Sequence, residues 1–220
     1  MMHKVANDTI DGMMEPLLNK SSNIEPFFAV LALRVFMKFC CGCYLSPDPK
    51  REEFITHLVS EGSNGMGICV ALGIPFWLPV PYVNRVKSVA TELWKDLAPI
   101  VERRRQDLKN GPASDYDDPL TAMLESECTD AQLKDHMKTL VVAGHDTTAF
   151  FSSYLMFVLA KHPEVQERLR KECVESLAKG GGELNQELIF EMQYLQKVVQ
   201  EVLRLYAIVP FLTRAVGTTT

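Results

Sequence analysis

The sequence has no apolar run long enough to span a bilayer that is also free of charge and proline. Phe27 to Tyr44 is interrupted by Arg34 and Lys38, and Thr139 to Ser152 carries Asp146, so no transmembrane helix is expected. A continuous basic stripe is missing too, and with a net charge of -5 this argues against nucleic acid as a partner. The one dense cluster, Arg103-Arg104-Arg105, reads as a solvated helix end, where the macrodipole favours cations. Of the six cysteines, Cys40 and Cys43 form a CxxC, but no second CxxC or spaced histidine pair follows to complete a zinc site, and buried structural thiols are expected. The opening MMHKVANDTI does not resemble a secretory signal, which makes a reduced, intracellular setting the expectation. Alternating strand patterns are nearly absent before the last ten residues, and no internal repeat or low-complexity segment is visible.

What is there is helical periodicity. A chain of 220 residues, 47% hydrophobic and 23% charged, can bury a substantial core. Its apolar residues recur at helix spacing almost throughout, so the fold class is all-α, with at most a short strand near the C-terminus. Helices are expected over Val5–Leu18 and Phe27–Cys41, and SPDPKREEF restarts a third with Asp48 as cap and Pro49 in the first turn. GIPFWLPVP, Gly73 to Pro81, holds three prolines and reads as an apolar loop. Val83, Val86, Ala90, Leu93, Leu97 and Ile100 mark one face of a long helix ending at Gly111-Pro112. Thr129 and Gln132 form a capping box, from which a helix can run to His162, about 48 Å at a rise of about 1.5 Å per residue. Pro163 starts another helix, Gly180-Gly181-Gly182 ends it, and a last amphipathic helix covers Met192 to Tyr206.

Within the long helix, TLVVAGHDTTAFFS places a glycine, two ionisable groups and two threonines inside an apolar run, a cluster that costs several kcal/mol to bury unless each polar group finds a partner. At about 100° per residue, Leu140, Ala143, Gly144, Thr147 and Phe151 share a stripe while His145 and Asp146 point to either side. Ala143 and Gly144 leave room for a flat, bulky group, and a threonine hydroxyl can bond backward to a carbonyl, loosening the helix locally. An acid beside an alcohol and water can pass protons in sequence, which makes Asp146 and Thr147 candidate catalytic residues. A buried helix with a packing glycine and satisfied polar groups accounts for the same stretch. Further on, Glu201 and Arg204 stand three apart on a helix face opposite the apolar stripe Leu195, Val198, Val199, Val202 and Tyr206; taken alone they are a surface ion pair.

Together, Ala143-Gly144-His145-Asp146-Thr147-Thr148 and Glu201-Val202-Leu203-Arg204 resemble the A-G-x-D/E-T-T and E-x-x-R motifs of the cytochrome P-450 family. KHPEVQERLRKEC between them resembles the family's linking helix, and MQYLQKVVQEVLRLY the segment holding E-x-x-R. The likeness is specific from about Thr139 to Arg214 and lies in helix order before that. Ala207-Ile208 departs from the paired prolines often found after the last helix.

The resemblance implies a haem-dependent monooxygenase using O2, with haem as cofactor in the full-length protein. It implies that Ala143, Gly144 and Thr148 border the haem, that Thr147 bonds bound oxygen or its water, and that Asp146 feeds protons. Glu201 and Arg204 are then structural, Arg214 partners a haem propionate, and Ile208 and Val209 line a pocket for a small apolar substrate. Electrons would come from an NADPH-cytochrome reductase or a ferredoxin-type donor, and GIPFWLPVP would touch a membrane surface, the endoplasmic reticulum in the full-length form. The haem iron of the family is held by a cysteine thiolate in a loop with the setting F-x-x-G-x-R-x-C-x-G, which none of the six cysteines has. Residues 1–220 therefore read as one partial domain, a central piece with the helical core and without the ligand loop, inactive alone. Two other readings are a catalytically silent helical protein of the same family and an HD-type phosphohydrolase using His145-Asp146, with His57, His136 and His162 as candidate further ligands.

Overall fold

The computed structural model describes residues 10, 23–111 and 117–209. The helix expected over Val5–Leu18 lies, Ile10 apart, outside the described residues, as do Arg214 and any C-terminal strand. The described residues form helices α1 (Glu25–Cys41), α2 (Pro49–Ala71), α3 (Pro81–Asn110), α4 (Pro119–Glu125), α5 (Asp130–Lys161), α6 (Pro163–Lys179), α7 (Gln186–Glu191) and α8 (Gln193–Leu205). No strand occurs among them, in keeping with the all-α expectation.

Local chemistry starts most of these helices where the sequence places them. The Asp48 side chain accepts from the Lys50 amide at 3.0 Å, with Pro49 in the first turn of α2. At α5 the capping box closes in both directions. The Gln132 amide donates to Thr129 Oγ1 at 3.3 Å, and the Thr129 amide donates to Gln132 Oε1 at 3.0 Å. The short α7, too brief to show a period in the sequence, adds to the expected helices; Asn185 caps it by accepting from the Leu188 amide at 2.9 Å.

The chain divides into two compact units, residues 1–149 and 150–220, the division falling within α5. In the first, α2 and α3 pack as an antiparallel hairpin. Arg51 meets Asp96 at 2.8 Å near one end, Glu61 faces Arg85 at 3.8 Å further along, and the order of partners reverses from one helix to the other. Close approach rests on Gly62, where a Cβ would fall 2.6 Å from Val89 Cγ2. The core joins Leu33 and Met37 of α1, Ile55 and Val59 of α2, Leu93 and Leu97 of α3, and Met137 and Val141 of α5. The buried stripe of α3 is Val83, Val89, Leu93, Leu97, Val101 and Arg104, so Val89 and Val101 replace Val86 and Ile100 of the expected face.

Arg104 corrects the reading of its cluster as a solvated helix end. The residue is 6% exposed, and its guanidinium donates to both Asp118 oxygens at 2.7 and 2.8 Å and to the Cys41 carbonyl at 2.9 Å. Arg105 pairs with Asp130, so the run carries two inter-element links.

In the second unit, Leu159, Leu169, Val198 and Val202 are the buried centre, and the Tyr154 and Tyr206 rings stack with centroids 4.9 Å apart. The Glu172 carboxylate accepts from the amides of Tyr194 and Leu195 at 2.9 and 2.8 Å. Those amides open α8 without intrahelical partners, and a negative group at a helix N-terminus is favoured.

Candidate functional site

The polar cluster of α5 splits by face. Val141 and Met137 are buried, whereas Leu140 is 38% exposed, Ala143 is exposed and Thr147 is half-buried. Leu140, Ala143 and Thr147 therefore form an open, mostly apolar strip with one hydroxyl. That hydroxyl is oriented: Thr147 Oγ1 donates to the Ala143 carbonyl at 2.7 Å, the backward bond expected of a threonine at this spacing. Thr148 lies exposed beside it.

Gly144 does not belong to the open strip. A Cβ there would fall 2.2 Å from Phe36 Cδ2 and 2.3 Å from Cε2, so the flat group for which the glycine leaves room is the Phe36 ring of α1. Of the two small residues, Ala143 alone faces outward. Phe151 is half-buried and packs against the core of the second unit.

Behind the strip, His145 is fully buried and Asp146 is 6% exposed. The carboxylate meets α2: Ser60 Oγ donates to Oδ1 at 3.3 Å, and Ser63 Oγ donates to Oδ2. These donors offset the desolvation that the sequence alone leaves unanswered. His145 Nδ1 lies 3.1 Å from Asp146 Oδ1, yet neither ring nitrogen has a hydrogen-bond partner among the described residues. His57, His136 and His162 do not converge on this pair. Among the described residues no group of three or more His, Cys, Asp or Glu could hold a metal ion, so the ligand set an HD-type site needs is not assembled there.

The strip borders an apolar cavity of about 410 Å³ between α2, α3 and α5, whose lining includes Met66, Val86, Val89, Val142 and Ala143. Hydrophobic walls with few polar groups are the usual character of a small-molecule site. At the hairpin's end the loop after α2 exposes Leu72 at 70% and Trp77 at 77%. No described helix is long and apolar enough to cross a membrane.

Glu201 and Arg204 form a bidentate pair, both bonds 2.7 Å, with side chains 54% and 66% exposed. The pair holds the guanidinium protonated and the carboxyl below its ordinary range through their mutual hydrogen bonds. Ile208 is half-buried and Val209 is 53% exposed.

Comparison with known proteins shows the family. The family model described as "Cytochrome P450" matches residues 1–220. The chain is 31% identical over 180 residues to "Beta-amyrin 28-monooxygenase" of Barbarea vulgaris, covering 80% of this chain and 37% of the relative. It is 31% identical over 187 residues to "Cytochrome P450 monooxygenase FUM15" of Gibberella moniliformis, covering 76% of this chain and 31% of the relative. It is 31% identical over 210 residues to "Secologanin synthase 1" of Catharanthus roseus, covering 88% of this chain and 39% of the relative. The chain thus spans well under half the length of these relatives, and it belongs to the cytochrome P450 family.

Proposed function

We propose that the full-length protein is a haem-dependent monooxygenase that inserts one oxygen atom of O2 into a small apolar substrate, with residues 1–220 as part of its single domain. The observation that carries this reading is the open strip Leu140–Ala143–Thr147, with its hydroxyl fixed by the Ala143 carbonyl and a buried carboxylate behind it. A small apolar side chain beside an oriented hydroxyl fits the face of a flat macrocycle. When bound, the haem supplies oxygen activation at its iron.

Ala143 would border the haem, and Thr148, exposed one residue beyond Thr147, would lie near its edge. Gly144 would contribute indirectly, by seating Phe36 and so fixing the turn that presents Ala143. Thr147 would orient a water or oxygen ligand with its hydroxyl. Asp146 would hold or release the proton that the hydroxyl and water pass on. Arg214 would meet a haem carboxylate by a guanidinium fork, and Ile208 and Val209 would touch substrate. Glu201 and Arg204, solvated here, would pack against further chain and act structurally. Electrons would come from an NADPH-dependent reductase or a ferredoxin-type donor. The exposed Leu72 and Trp77 suit a membrane surface, such as that of the endoplasmic reticulum, because apolar side chains at the tip of a hairpin gain by leaving water.

The test supplies the full-length protein with reductase, isotopically heavy dioxygen and a panel of apolar substrates. Products carrying one heavy oxygen atom are expected. Product oxygen drawn from water alone would overturn the proposal.

A further inference from the structure

Asp146 stands between two cavities, and each of its hydroxyl partners belongs to a different one. Ser60, which donates to Oδ1, lines a cavity of about 630 Å³ between α1 and α2 whose wall also carries Glu53, His57 and Glu61. Ser63, which donates to Oδ2, lines the apolar cavity of about 410 Å³ together with Ala143, the residue whose carbonyl holds Thr147. Asp146 itself is 6% exposed. Its other polar neighbour, His145, is fully buried, and neither ring nitrogen has a hydrogen-bond partner among the described residues, so a proton placed there has no onward acceptor. Exchange between Asp146 and either cavity therefore runs through the two serines. Glu25 and Lys50 also line the polar cavity, and Asp135 and Lys138 line the apolar one from α5.

We propose that Ser60–Asp146–Ser63 is a proton bridge that joins the polar α1/α2 cavity to the apolar cavity beside Ala143. The proposal rests on the reading of the protein as a haem-dependent monooxygenase and names the arm that supplies its protons from the solvent side. In the transfer, Ser60 Oγ takes a proton from cavity water and gives its own to Asp146 Oδ1. A half-turn of the carboxyl about its χ2 bond exchanges the two oxygens. The carboxyl then passes its proton to Ser63 Oγ as Ser63 gives its own to a water molecule in the apolar cavity. Each transfer forms as many O–H bonds as it breaks and the half-turn breaks none; no electron moves, and the carboxylate is regenerated. Hydroxyls suit this role better than a lysine or arginine would, because a fixed cation at the carboxylate would favour its ionised form and oppose protonation.

Three readouts on the haem-loaded, full-length protein test it, using Ser60→Ala, Ser63→Ala and the hydroxyl-retaining Ser63→Thr. With isotope-labelled aspartate, the infrared difference between wild type and Asp146→Asn identifies the Asp146 carboxyl band. That band should shift in both alanine variants and return in Ser63→Thr. The solvent deuterium isotope effect on turnover should rise in the alanine variants. Product formed per electron consumed should fall about 100-fold, the lower end of the range for a lost proton-transfer group. An unshifted band, or wild-type isotope effect and coupling in both alanine variants with a normal carbon monoxide spectrum, would overturn the bridge while leaving the monooxygenase reading intact. A wild-type protein without a thiolate-haem spectrum would overturn that reading and the bridge with it. Should Ser63→Ala fail to fold, Ser60→Ala alone decides, since loss of either arm breaks the route.

Discussion

Gly144→Ala sets two contributions of opposite sign against each other. Helix propensity favours the change by about 1 kcal/mol, since alanine costs less backbone entropy than glycine in a helix interior. Packing opposes it: the new Cβ would lie 2.2, 2.3 and 2.9 Å from three carbons of the Phe36 ring. These are ring carbons of a side chain wedged against α5, not the tip of a flexible chain, so the whole ring or α1 must move. Inserting a methyl group into a filled core costs about 1–3 kcal/mol, and three contacts this short place the cost at the upper end. The net loss is then about 1–2 kcal/mol, or roughly 2–8 °C in melting temperature for a chain of this size at about 2–4 °C per kcal/mol. Thermal unfolding of the 220-residue chain, followed by far-ultraviolet circular dichroism, measures it. In a Phe36→Ala background the same change should become neutral or stabilising, because the ring is gone. Equal or higher thermal stability in Gly144→Ala alone would show that the Phe36 ring does not fill the notch.

Arg104→Ala should leave the buried Asp118 carboxylate without its cation, with only the Thr121 amide and hydroxyl as donors, costing about 3 kcal/mol and lowering the melting temperature steeply, while Arg104→Ala with Asp118→Ala should cost less. Arg204→Ala should leave the melting temperature of the 220-residue chain unchanged within error, because its pair with Glu201 is solvated; a large drop would show that the pair is structural already in this chain. Burial pushes the Cys43 thiol above its ordinary value, with Lys38, Arg104 and Arg103 opposing in part. Its thiolate fraction is therefore low near neutrality, and its alkylation should be slower than that of a model thiol and accelerate as pH rises; mass-spectrometric labelling rates check the order.

The legible parts of this molecule were those fixed by neighbours in sequence. Asp48 with Pro49 and Thr129 with Gln132 start their helices as expected, because a cap needs only the next few residues. The backward bond of Thr147 is local in the same way. The exposure of Glu201 and Arg204 followed from their place opposite the apolar stripe of α8. Distant partners could not be read. Arg104 looks like one of three solvated arginines until Asp118 folds back from beyond the end of α3 to meet it. Val89 is buried in preference to Val86 because Gly62 on the facing helix has no side chain to exclude it. Asp146 finds its donors 86 and 83 residues away, at Ser60 and Ser63. Ser-x-x-Ser on a helix is too common a pattern to announce that role. Gly144 shows the limit most clearly: the sequence signals that something flat approaches, and only the fold identifies it as Phe36.

Whether this chain belongs to an oxygen-activating haem protein is read from the absorption spectrum of the full-length protein, reduced and exposed to carbon monoxide. The expected thiolate-ligated haem gives a strongly red-shifted Soret band, and that band should persist in Ser60→Ala. A histidine-type Soret band, or a folded full-length protein that takes up no haem, would contradict it.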